Sequence, residues 1–219
     1  RAPETKASRT ARVIAMQGGG SARWTPRDYA ALAREGYTTN EIVHRAVKIV
    51  AENVGSHNLL VYEGETERQM HPLRALLAQP NPRQDGPAFL ESVATYLLLA
   101  GNAYVEAVTL DGSPRELYAL RPDRMRVEPG ADGWPEAYVY SAAGRSVRFA
   151  QGVAPLAPIL HIAMLHPLDD HYGFSPLEAA AVAVDTHNAA ARWNKALLDN
   201  AARPSGALVY SGPEGALLS

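Results

Sequence analysis

Apolar and polar positions change period twice along this chain. Up to Gly101 they recur at helical spacing. They then alternate with a period of two as far as Ala163, and return to one long helical run. WTPRDYAALAREG predicts a first helix, with Thr25 as its cap, Pro26 in its first turn, Asp28 near its positive end and Gly36 as its stop. TTNEIVHRAVKIVAENVG predicts a second. Thr38 and Glu41 have capping-box spacing, Ile42, Val43, Ala46, Ile49, Val50 and Asn53 mark one face, and Gly55 closes it. LLVYEG (residues 59–64) reads as a short strand. HPLRALLAQPNP reads as a short helix stopped by Pro80 and Pro82. DGPAFLESVATYLLLAGN predicts a helix from the Asp85 cap to Gly101, with Phe89, Val93, Tyr96 and Leu97 on one side.

AYVEAVTL, RELYAL, RMRVEP, AYVYSA and SVRFA then read as strands separated by the short turns DGSP, RPD, GADGWP and AAGR. Turns this short predict antiparallel neighbours. ILHIA (residues 159–163) is one more strand. The class is α+β: helices, then an antiparallel β meander, then a long helix from Pro176 to about Asn200. That helix would be about 37 Å long at 1.5 Å per residue. ARPSG ends it, and ALVY starts another strand.

The long helix carries Glu178, Asp185, Asn188, Arg192, Lys195 and Asp199 at spacings that place them on one polar stripe. Most of its remaining surface is alanine, which allows close approach of neighbouring helices. One polar stripe with small apolar residues elsewhere asks for more than one neighbour, and an oligomer supplies them.

Composition narrows the function. Lysine plus arginine number 21 against 23 acids, a formal charge of −2. The basic excess of a protein that grips DNA by its phosphates is missing. With no cysteine in the 219 residues, disulfides, thiolate metal sites and cysteine nucleophiles are excluded, which suits assembly in a reducing cytoplasm. No apolar run approaches the roughly 20 residues that span a bilayer, so no membrane partner is expected. Residues 1–23 read as a basic flexible arm ending near Gly18–Ser21, and no Lys-Ser or Lys-Thr follows those glycines to make a phosphate loop. The start at Arg1 and the end on GALLS suggest a segment of a longer protein.

The densest chemistry is HPLDDHYGFSPLEAA, where His166, Asp169, Asp170 and His171 crowd together. A metal-dependent hydrolase would use these residue types. Their spacing follows turn chemistry, however, with Pro167 favouring an extended backbone and Gly173 and Ser175-Pro176 following. The expectation is a helix start. Ser175 caps, Pro176 takes the first position, Glu178 sits where a capping-box acid belongs, and Asp169 and Asp170 precede the positive end. Neither a GxSxG elbow nor an HExxH motif is present. Tyr104, Tyr118, Tyr138 and Tyr140 could stack on bases, but half-buried sheet tyrosines are the commoner case.

HPLDDHYGFSPLEAAAVAVDTHNAAARWNKALLDNAARPSGALVY resembles the central segment of the portal proteins of long-tailed bacteriophages and gene transfer agents. WTPRDYAALAREGY, HPLRALLAQPNP, LLLAGNAYVEAV and ELYALRPDRMRV resemble other parts of the same family, in family order from Trp24 to Tyr210. WTPRDYAALAREGY with DDHYGFSPLEAAA looks most similar to gene-transfer-agent portals. SHNLLVYEG departs from the small, apolar, proline-containing approach to the first strand expected in that family.

The resemblance implies a non-enzymatic structural subunit without cofactors. It would form a homo-oligomeric ring, a dodecamer in most relatives, at the capsid vertex of a virion or phage-like particle. Double-stranded DNA is packaged and ejected through such a ring. Terminase, a head–tail adaptor and the major capsid protein would be its partners, and assembly would take place in the bacterial cytoplasm. On the family map residues 1–23 are the arm, 24–174 the wing domain, 175–202 the first stem helix and 203–219 the start of the clip. Asp185, Asn188, Arg192, Lys195 and Asp199 are then expected toward the channel or a neighbouring subunit. Asp169, Asp170, Ser175 and Glu178 are expected to hold the wing–stem joint. A helical adaptor or scaffold without a channel is the other non-enzymatic alternative.

Overall fold

The computed structural model describes residues 24–152 and 156–199. The arm, the end of the stem and the start of the clip expected from the sequence lie outside the described residues. The first helix, α1 (Tyr29–Leu32), is capped by Asp28, whose side chain accepts from Ala31 N. Thr25 was the expected cap. Its amide and hydroxyl instead bind the Asp185 carboxylate, which removes it from the helix end. Gly36 does not stop the helix either. The chain continues as a π-helical turn over Ala33–Thr38, and a Cβ on Gly36 would meet Leu177 at 2.9 Å. The glycine lets the Leu177 side chain pack close against this turn.

Helix α2 (Glu41–Gly55) is capped by Asn40, whose side chain accepts from Ile42 N and Val43 N. Thr38 turns back to donate to Arg34 O, so the Thr38/Glu41 capping box does not form. The buried side of α2 is Val47, Ala51 and Gly55, with Val43 half-buried. Ile42, Ile49 and Val50, expected inside, are exposed. Both faces carry apolar residues, and the pattern does not say which one the rest of the chain covers.

The strand expected at 59–64 shrinks to a two-residue rung, with β1 (Tyr62–Glu63) pairing β2 (Thr66–Glu67). Helices α3 (Pro72–Ala78) and α4 (Gly86–Ala100) follow. The latter is capped by Asp85 and closed by Gly101 at φ +71°, as expected. The strands then split the meander in two. β3 (Asn102–Leu110) pairs antiparallel with β4 (Ser113–Leu120), while β5 (Met125–Pro129), β6 (Pro135–Ala142) and β7 (Arg145–Ala150) form a second antiparallel sheet. A 3-10 turn at Pro122–Arg124 redirects the chain between the sheets. β8 (Ile159–Ala163) returns to the free side of β3, giving the order β4-β3-β8.

Three apolar clusters hold these layers. Phe89 and Val93 of α4 pack on Ala103 and Val105 of β3. Tyr104, Met125, Val127, Tyr138 and Ile159 join the two sheets. Leu32, Val47 and Leu99 enclose Leu177, Ala181 and Val184 from the last helices. Tyr104 and Tyr138 are therefore core residues and offer no face to a base. The long helix is divided: α5 (Pro176–Ala179) ends in a turn at Ala180, and α6 (Ala181–Asp199) carries on.

Candidate functional site

The segment His166–Glu178 links β8 to α5, and its side chains bind backbone. Asp169 Oδ1 accepts from His171 N at 2.7 Å and Tyr172 N at 2.9 Å, which holds its carboxyl below the usual carboxylate range. His166 Nδ1 accepts from Leu168 N, and its ring meets Phe174 edge-on. Among the described residues no group of three or more His, Cys, Asp or Glu stands close enough to hold a metal. His166, Asp169, Asp170 and His171 are neighbours in sequence that do not converge on one point.

Ser175 is 2% exposed. Its Oγ accepts from Leu177 N at 3.0 Å and Glu178 N at 3.3 Å, and donates to Leu98 O of α4 at 2.9 Å. It caps α5 and ties it to α4 at the same time. Among the described residues no bond runs from Ser175 N to the Glu178 carboxylate, so the capping box is half made.

Beside the cap, two backbones cross. A Cβ on Gly173 would lie 2.0 Å from Gly101 O, and one on Gly101 would lie 2.5 Å from Gly173 C. Asn102 clamps the crossing. Its Oδ1 accepts from Gly173 N at 2.7 Å, and its Nδ2 donates to Gly173 O at 3.2 Å and Ala100 O at 2.8 Å. The same Oδ1 lies 2.9 Å from His161 Nε2, so His161 carries its proton on that nitrogen. The ring stacks on Tyr104 at 4.3 Å, and burial pushes its pKa down to about 4. Tyr172 OH accepts from Val127 N and links the joint to the second sheet. Gly101, Asn102, His161 and Gly173 were not singled out as site residues. The GNAYVE segment that carries part of the resemblance contains two of them.

The expected polar stripe divides. Asn188 is 5% exposed; its Nδ2 donates to Glu35 O and its Oδ1 accepts from Asn40 Nδ2. Asp185 holds Thr25. Both residues bond to the N-terminal helical segment of the same chain, at Thr25, Glu35 and Asn40. Arg192, Lys195 and Asp199 are exposed, and Lys195 pairs with Asp199 at 2.7 Å. From Ala189 to Asp199 every residue is exposed, including Trp193 at 64% and Leu198 at 78%. The helix leaves the body bare on all sides. No helix among the described residues is long and apolar enough to cross a membrane.

Among the described residues, then, a compact α+β body carries a last helix whose far half is bare. Residues 41–218 match the phage portal protein family, and the chain belongs to that family. At 47% identity it is similar to a chain in the neck of an empty gene transfer agent (GTA) particle computed with C6 symmetry. That match covers 97% of this chain and 57% of the other, with a TM-score of 0.76. An HK97-family phage portal protein from Corynebacterium diphtheriae, at 17% identity and TM-score 0.53, shares the fold over 90% of this chain and 57% of its own. Two uncharacterised proteins, of Rickettsia felis and Rickettsia bellii, are each 35% identical over 84% of this chain. The chain spans 48% of their length, about half.

Proposed function

We propose that this chain is the wing and first stem helix of a portal subunit. Such subunits would form the ring at the capsid vertex through which DNA is packaged and ejected, and would join head to tail. The bare end of α6 carries the reading. An isolated helix of this length is marginal in water, and Trp193, Leu197 and Leu198 are left uncovered. Side-by-side packing in a ring covers them. The similarity to a chain of a GTA neck supports the same placement, and a related neck was computed with C12 symmetry.

In this reading Arg192, Lys195 and Asp199 face the channel or the next subunit. The near-neutral charge lets DNA slide, since strong phosphate binding would brake it. Asp169 and Ser175 hold the wing–stem joint, aided by Asp170 and Glu178. The subunit is not an enzyme, and ATP hydrolysis belongs to the partner terminase. A head–tail adaptor, the major capsid protein and double-stranded DNA are the remaining partners. The particle is a virion or phage-like particle assembled in the bacterial cytoplasm. Deleting the gene tests this: loss of DNA-filled particles is expected, and normal packaging without it refutes the reading. Mass measurement and electron microscopy of the full-length protein separate a ring from an adaptor without a channel.

A further inference from the structure

We infer that the outer face of α2 is a contact surface for a second copy of this chain at the level of the wing, an inference that rests on the ring reading. Ile42, Ile49, Val50 and Val54 of α2, with Leu59, are each between 41% and 60% exposed. Ile49, Val50, Val54 and Leu59 line one open groove of about 510 Å³ with Leu90 of α4. Asn53 and His57 are its polar lining residues. The apolar α2 side chains form a flank of the helix that adjoins its buried side of Val47, Ala51 and Gly55, and the described chain leaves that flank open.

A standard interface takes roughly 800 Å² from each partner, so this flank would be one part of a wider contact. The charges near the groove are engaged inside the chain. Lys48 pairs with both Glu91 and Glu52, and Arg45 pairs with Glu52. An apolar floor with internally paired charges fits the permanent contact of a homo-oligomer better than a polyanion or a transient charged partner. A closed ring is built from heterologous contacts, in which each copy offers two unlike faces. The α2 face is one of them. It adds to the stem contact, because α6 meets α2 elsewhere: at Asn40 and Glu41 near its start and at Val47 in the shared apolar cluster.

A photo-reactive benzoylphenylalanine at Val50 of the full-length protein tests the surface. The expected product has twice the subunit mass and joins two different copies. A product confined to one chain, including one with residues 1–23, overturns the inference, as does a product with another capsid component. In parallel, I49D/V50D should lower the ring population at least tenfold while the isolated subunit keeps its thermal midpoint. Rings at the parental level overturn the inference and leave the portal reading standing. A parent that forms no ring in its particle overturns the portal reading. The α2 claim is then decided by whether the cross-link still joins two copies.

Discussion

Asn40 Nδ2 donates to Asn188 Oδ1 at 2.9 Å, and both side chains are at most 5% exposed. One residue caps α2 and the other lies in α6, so the amide pair ties the last helix to the start of α2. Asn188 also donates to Glu35 O in the π-helical turn. Its removal takes one of two partners from the buried Asn40 amide, which keeps His187 Nδ1 at 3.1 Å, and the side-chain donor from the part-buried Glu35 O.

Asn188→Ala is therefore expected to destabilise the protein by about 1–2 kcal/mol, the cost of hydrogen bonds lost at a buried polar pair. Urea unfolding of the parent and variant measures it. Lys195→Ala, four residues before Asp199 on the same stripe, breaks only an exposed pair with that residue and should leave the midpoint within error. Equal effects of the two substitutions would show that the stripe does not divide as described.

Gly173→Ala should be far more damaging than its size suggests. The added methyl group would sit 2.0 Å from Gly101 O, and the obstacle is backbone. Relief requires separating β3 from the approach to α5, which Asn102 and Met164 N both hold to this crossing. Loss of soluble protein, or destabilisation above about 3 kcal/mol, is expected from overpacking without a flexible neighbour. Gly144→Ala is the comparison: its Cβ meets nothing within 4 Å, and only its positive φ penalises the change. A Gly173 variant as stable as the Gly144 variant would refute the crossing.

The elements were legible wherever local chemistry decides them. Asp85 and Gly101 bound α4 as their residue types predict, and β8 runs over Ile159–Ala163 as its alternation suggests. Caps failed where a distant residue competes: Thr25 is drawn to Asp185, 160 positions away, and Asp28 takes its place. The covered side of α2 was misread because both sides are apolar, and burial depends on which neighbours exist. The joint was half legible. Ser175 caps as its position before Pro176 predicts, but Asn102, 71 positions from Gly173, has no local signature.

The two capping-box residues are expected to differ. Ser175→Ala loses two accepted bonds and leaves Leu98 O without its donor in a nearly closed site. The cost should exceed that of an ordinary lost cap, at about 2–3 kcal/mol. Glu178→Ala loses only a first-turn charge and should cost about 0.5 kcal/mol. Thermal melts of the two variants check the ranking, and a larger loss at Glu178 would restore the full capping box.

His161 gives the fold a pH dependence with a definite sign. Burial between Tyr104 and Tyr138 lowers its pKa from 6.5 to about 4 in the folded state. Between those values the unfolded chain binds more protons than the folded one, so stability falls as the pH is lowered from about 6.5 to about 4. Below that window both states are protonated and this group causes no further loss. Because the ring is partly open to solvent, the loss is discounted to about 1–2 kcal/mol. Asp169, whose folded pKa is lowered, acts with its loss below the ordinary 3.8, so the two windows separate. His161→Gln keeps a donor for Asn102 and removes the titration. Its urea midpoints at pH 4.5 and 7 should differ less than those of the parent, and parallel slopes would place the acid sensitivity elsewhere.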